Sequence, residues 1–116
     1  MTPTDHSGVL LQYAEAPTHA ICLSKDGSLN QQTILASLQV HFSFPDYFGE
    51  NLDAAFDLLL DVVDTLNQLT VWQFCTGSNV KTDSDALARW QQLMQDVIDY
   101  ASGKGVMLQV ELFVEP

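Results

Sequence analysis

Asp53, Asp57, Asp61 and Asp64, with Glu50 just ahead of them, are the side chains whose type and spacing point most directly to chemistry. On a helix turning about 100° per residue, with Asp53 at zero, Glu50 falls at about 60°, Asp57 at about 40°, Asp61 at about 80° and Asp64 at about 20°. Paired carboxylates act as general acid and base where a cleft separates their pKa values, and a convex stripe facing water offers no such separation, so catalysis is not expected. The alternating acids and central glycine of a calcium loop are missing, so no metal is expected on Asp53, Asp57 and Asp61, and no cofactor elsewhere. What a carboxylate row on a rigid helix can do is accept charge-assisted hydrogen bonds from Arg, Lys or His⁺ of a partner.

The elements that must position this row are legible around it. Ala55, Leu58, Leu59, Val62, Val63 and Leu66 occupy the opposite side, between about 140° and 280°, as a helix covering a core requires, with Phe56 and Leu60 between the two faces. Asn51 is a good N-cap, Gly49 permits a tight turn, and Pro45 keeps the residue before it out of helical conformation. A loop carrying Tyr47 and Phe48 therefore feeds a helix from about Asn51 to Leu66. At least one of the two rings can be exposed there, and Tyr is a favoured interface anchor; the alternative is that both fold back over the helix start. Like charges three or four apart repel by roughly 0.2–0.5 kcal/mol per pair, and between Lys25 and Lys81 the sequence has no Lys or Arg to relieve them. A charged stripe is ordinarily a solvated face; an unrelieved one beside a Tyr/Phe loop reads as a surface for a cationic partner.

The chain has 116 residues, fifteen acids against four bases, a formal charge of −11 and 47% hydrophobic residues. These values fit one soluble globular domain, and no apolar run approaches the ~20 residues of a membrane span. The charge opposes binding to nucleic acid and to anionic membranes, and favours fast, salt-sensitive capture of a basic protein. Cys22 and Cys75 lie in apolar, strand-like runs and are expected as two buried reduced thiols. With no secretory leader evident, the expected compartment is the cytoplasm.

Along the chain, residues 1–18 read as an N-terminal extension in which Val9 to Tyr13 forms either a helical turn or an edge strand, and residues 19–116 as the domain proper. Ala20 to Leu23 reads as a first strand stopped by Lys25-Asp26-Gly27, with Ser28 as a candidate cap. Leu29 to about His41 follows as a first helix, the acidic helix as a second, and Leu69 to Cys75 as a second strand. Thr76 to Thr82 is a polar connection. Asp83 or Ser84 caps a helix striped by Leu87, Trp90, Leu93, Met94, Val97, Ile98 and Ala101, and Val106 to Val114 alternates as a last strand. Helical crossovers between strands imply parallel pairing, hence an α/β domain with a three-stranded parallel sheet packed against three to four helices. Trp72 and Trp90 belong to the core, and His6, His19 and His41 are too scattered to bind metal.

Pro45-Asp46-Tyr47-Phe48-Gly49-Glu50-Asn51-Leu52-Asp53-Ala54, within the longer stretch Phe44 to Leu59, resembles the signature of the barstar family, intracellular inhibitors of barnase-type ribonucleases. The resemblance implies a barstar-like fold and an inhibitor, with no enzyme activity of its own, that plugs a ribonuclease active site with the loop and the acidic helix, carboxylates standing where RNA phosphates would lie. By position, Asp57 matches the acid that reaches deepest among the enzyme's basic residues, Asp53 the acid one turn earlier and Tyr47 the loop aromatic, while Gly49 and Asn51 match the turn and helix start. Phe56 stands where barstar itself has Trp, and Tyr100 falls near a later helical Glu that also touches the enzyme; Asp99 points about 100° away from it. The expected partner surface is thus Tyr47, Phe48, Gly49, Asn51, Asp53, Phe56, Asp57, Asp61 and Tyr100. The expected partner is a barnase-type ribonuclease or another basic nuclease toxin, with the protein acting as an immunity protein and a monomer when free. The competing expectation is an acidic interaction module that binds a basic protein and inhibits nothing.

Overall fold

Val71, Trp72, Phe74, Val110, Leu112 and Phe113 are β-branched, aliphatic or aromatic, and their segments form the two central strands of a sheet. The structure, a computed structural model, describes residues 8–45 and 51–115. In chain order the elements are β1 (Val9–Gln12), β2 (Ile21–Cys22), β3 (Ser28–Leu29), α1 (Gln31–Phe42), α2 (Leu52–Asp64), β4 (Thr70–Cys75), β5 (Lys81–Thr82), α3 (Ser84–Gly103) and β6 (Leu108–Phe113). The main sheet is parallel throughout, in the order β1-β6-β4-β2, and β3 pairs with β5 in a separate two-stranded ladder.

The sheet has four strands where three are expected from sequence, because Val9–Gln12 pairs with β6, Val9 facing Val110 and Gln12 facing Phe113. Of the two conformations open to this segment, the edge strand is the one formed. A four-residue apolar run carries no period of its own, and its partner lies nearly the whole chain away, so only tertiary pairing decides. The β3–β5 ladder is likewise unannounced: Thr82 sits in what reads as a polar connection, and Leu29, read as the start of a helix, is a buried strand residue. The first helix is capped by Asn30 instead of Ser28. Asn30 Oδ1 accepts from the Thr33 backbone N–H at 3.0 Å, and Thr33 Oγ1 accepts from the Asn30 N–H at 2.9 Å, a reciprocal capping box.

Strand alternation sends Val9, Ile21, Trp72, Phe74, Val110 and Leu112 to one face, where they join Ile34, Leu35 and Leu38 of α1, Ala55, Leu59 and Val63 of α2, and Trp90, Met94 and Val97 of α3 in one core. Trp90 meets Phe74 edge-on at 5.0 Å, so both tryptophans are core residues as expected. Among the described residues, the other face carries no helix. Gln73 donates to Glu111 at 2.8 Å and bonds His19 there. Because β1 and β2 form opposite edges, residues 13–20 must traverse the width of the sheet, about 14 Å at the usual strand spacing. They are tied on the way where the Ala16 N–H donates to Glu115 at 3.2 Å. Cys75 is buried on this side, but Cys22, expected buried, is exposed, since it sits on a two-residue edge strand with no neighbour beyond it in the sheet. Among the described residues, no helix is long and apolar enough to cross a membrane.

The turn after β4 depends on one glycine. Gly77 has φ +88°, and a Cβ there would lie 2.5 Å from Ser24 Oγ and 3.0 Å from Val80 Cγ2. Gly77→Ala is therefore expected to destabilise the protein by about 1–3 kcal/mol, whereas Gly27→Ala, with φ +78° but open space around it, should cost less; urea unfolding of the two variants checks the order.

Candidate partner-binding surface

The acidic helix is set by its two ends and its apolar face. At the start, Asn51 Oδ1 accepts from the Ala54 N–H at 2.8 Å, the N-cap predicted from sequence. Ala55, Leu59 and Val63 are each fully buried, which fixes the rotation of the helix about its axis. With that rotation set, Asp53, Asp57, Asp61 and Asp64 are all exposed on the opposite side, as the periodicity predicts. Phe56, between the faces, is half-buried and packs against the core from its edge.

The chain reaches this helix from an equally fixed point. α1 ends where Ser43 turns left-handed, φ 56°, and its backbone N–H returns to Gln39. The aromatic run then folds inward: Phe42 stacks on Phe44 at 5.9 Å and meets Trp72 edge-on at 4.8 Å. Phe44 is 7% exposed, so residue 45 leaves from a buried anchor and residue 51 re-enters at a capped helix. Tyr47, Phe48 and Gly49 fall between, outside the described residues.

Charge along the helix is graded. Asp64, at its C-terminal end, accepts from the Tyr100 hydroxyl at 2.8 Å and faces Lys104 Nζ at 3.6 Å, while Lys104 sits 5.5 Å from the centre of the Tyr100 ring. The Tyr100 oxygen first, and then the Asp64 carboxylate, raise the Lys104 pKa above its ordinary value, so this cation remains charged throughout the neutral range. The relief that the local sequence withholds thus arrives from α3. Among the described residues, the Lys104 ion pair is to the last acid of the row, Asp64. Tyr100, expected at the partner surface, has its hydroxyl committed to Asp64.

At the other end of the row, α2 and α3 border a cleft of about 400 Å³ floored by Leu52, Phe56 and Leu93 and rimmed by Asp53, Arg89 and Asp96. Arg89 Nη1 donates to Gln31 of α1 at 3.3 Å, and Asp96 accepts from Gln92 at 2.9 Å. Arg89 and Asp96 are absent from the sequence-based set. Their spacing, together with Gln92, places them on one face of a helix, but only the docking of α3 shows that this face borders Asp53 and Phe56. Asp99, one position from Tyr100, is instead an exposed acceptor for Gln95.

The structure therefore brings Asp53 and Phe56 to one cleft and presents Asp57 and Asp61 on the same exposed helix face, with Asn51 at its start and Tyr100 withdrawn to its far end. No curated protein and no solved structure matches the chain. Residues 18–113, which span every element except β1 and include the acidic helix and the segment before it, match the family model described as Barstar (barnase inhibitor), and the chain belongs to the barstar family, whose members inhibit barnase-type ribonucleases and are not themselves enzymes.

Proposed function

We propose that this chain is an immunity-type inhibitor of a small basic ribonuclease, acting in the cytoplasm as a monomer, and that it blocks the enzyme with the face running from Tyr47 to Asp61. The observation that carries this reading is the exposed Asp53, Asp57 and Asp61 row on a helix whose opposite side is locked in the core. A ribonuclease must offer Arg, Lys or His⁺ to the phosphate it cleaves, and carboxylates held at fixed spacing can take those donors with little ordering cost. Asp57 is the central contact and Asp53 and Phe56 flank it. Val9–Gln12 completes the sheet edge. The net charge of −11 raises the rate of encounter with a cationic enzyme.

Titration of a barnase-type ribonuclease is expected to abolish its activity at a one-to-one ratio. Binding without loss of activity would instead favour an acidic interaction module. Asp57→Ala should act on dissociation, weakening the complex by about 2 kcal/mol or more, roughly 30-fold. Stopped-flow rates for the variant check this.

Exposed charges act on association instead. Asp61→Asn should slow capture at low salt more than Asp64→Asn, because Lys104 already offsets Asp64. Lys104→Gln should speed capture by about 2-fold at low salt, and both effects should fade at high ionic strength. Equal slowing by the two aspartate changes would contradict the graded row.

A further inference from the structure

The two cysteines, Cys22 and Cys75, are Cα partners in the register of β2 and β4, two adjacent parallel strands. Facing residues of neighbouring strands lie about 4.7–4.9 Å apart and send their side chains to the same face, and disulfides form at Cα separations of about 4.4–6.8 Å. The two thiols are also near enough for Cys22 to act on Cys75 by hydrogen bonding and by charge. Cys22 is exposed on the sheet edge, its sulfur 3.3 Å from Ser24 Oγ; Cys75 is buried.

We infer that Cys22 and Cys75 form a peroxide-responsive pair that closes to a disulfide across β2 and β4. The exposed thiol meets the oxidant. Cys22 sulfur attacks one oxygen of a hydroperoxide, the O–O bond breaks, the far oxygen leaves as water or alcohol, and Cys22 becomes a sulfenic acid. Cys75 sulfur then attacks Cys22 sulfur, gives up its proton, and the sulfenic oxygen leaves as water. The two thiols lose two hydrogens and two electrons, all taken up by the hydroperoxide.

The order of events follows from the environment of each sulfur. Burial, then the neighbouring Cys22 and Glu115, push the Cys75 thiol up to about 12, so it does not initiate; it reacts with the adjacent Cys22 sulfenic acid, passing its proton to the departing sulfenic oxygen, which leaves as water. The cross-link encloses every residue between β2 and β4, which includes α1, residues 46–50 and the acidic helix. Oxidation would thus close a covalent loop around the whole inhibitory face and restrict the unfolded chain there, without touching a carboxylate.

The test uses the full chain, reduced and then treated with hydrogen peroxide. The expected product is a monomer lighter by two hydrogens, with a peptide joining Cys22 to Cys75, reversed by dithiothreitol, and a Tm raised by about 10 °C. In Cys75→Ser, Cys22 should stop at a sulfenic acid that dimedone traps, and in Cys22→Ser, Cys75 should remain a free thiol. Sulfinic acid on Cys22, or disulfides between chains, with Cys75 still free in the native protein, would overturn the inference.

Discussion

The rotational locking of the acidic helix is the constraint on which the rest depends. Ala55, Leu59 and Val63 are fully buried and fix the rotation of the helix, so its carboxylates stay on one exposed face. Their mutual repulsion is small per pair, a few tenths of a kcal/mol, beside the ~1.5–3 kcal/mol that burying a Leu or Val side chain contributes. The core therefore holds a charge arrangement that an isolated helix would not keep. An exposed acidic row held in place by the core is the result, and the cost of assembling like charges is met in folding.

The way the row ends also matters. A helix C-terminus disfavours anions, and Asp64 lies there, yet Lys104 and the Tyr100 hydroxyl supply the cation and donor that the position calls for. Asp53, in the first turn, has the favourable end of the same dipole and borders the α2–α3 cleft. Asp57 and Asp61, between these two ends, lie on the same exposed face. Polarity along the helix axis gives a partner an orientation as well as an attraction.

Much of this was legible in the residues. The acids and the apolar stripe of residues 52–64 share a strong 3.6-residue period, Asn51 announces the helix start, and Gly103 and Gly105 its successor's end. The sheet was harder. Ile21–Cys22, Ser28–Leu29 and Lys81–Thr82 are strands of two residues, too short to show alternation, and they exist because a partner is present in space. The same limit hid the exposure of Cys22, which depends on its being an edge, and the approach of Lys104 to Asp64 and of Arg89 to the α2–α3 cleft, which depends on how α3 lies in the fold. Local periodicity fixes which face of an element is apolar; it does not say what the polar face will meet.

The pairing of β1 with β6 has a consequence for the order in which the molecule is built. These strands are the first and last described, and Val9 cannot find Val110 until the rest of the chain between them has been made. The pairing of β2 with β4 and the packing of α2 on α3 close over shorter separations and come within reach earlier, while the N-terminal strand is still unpaired. In a growing chain α2 can dock on α3 before β1 is paired, and the sheet edge is finished last.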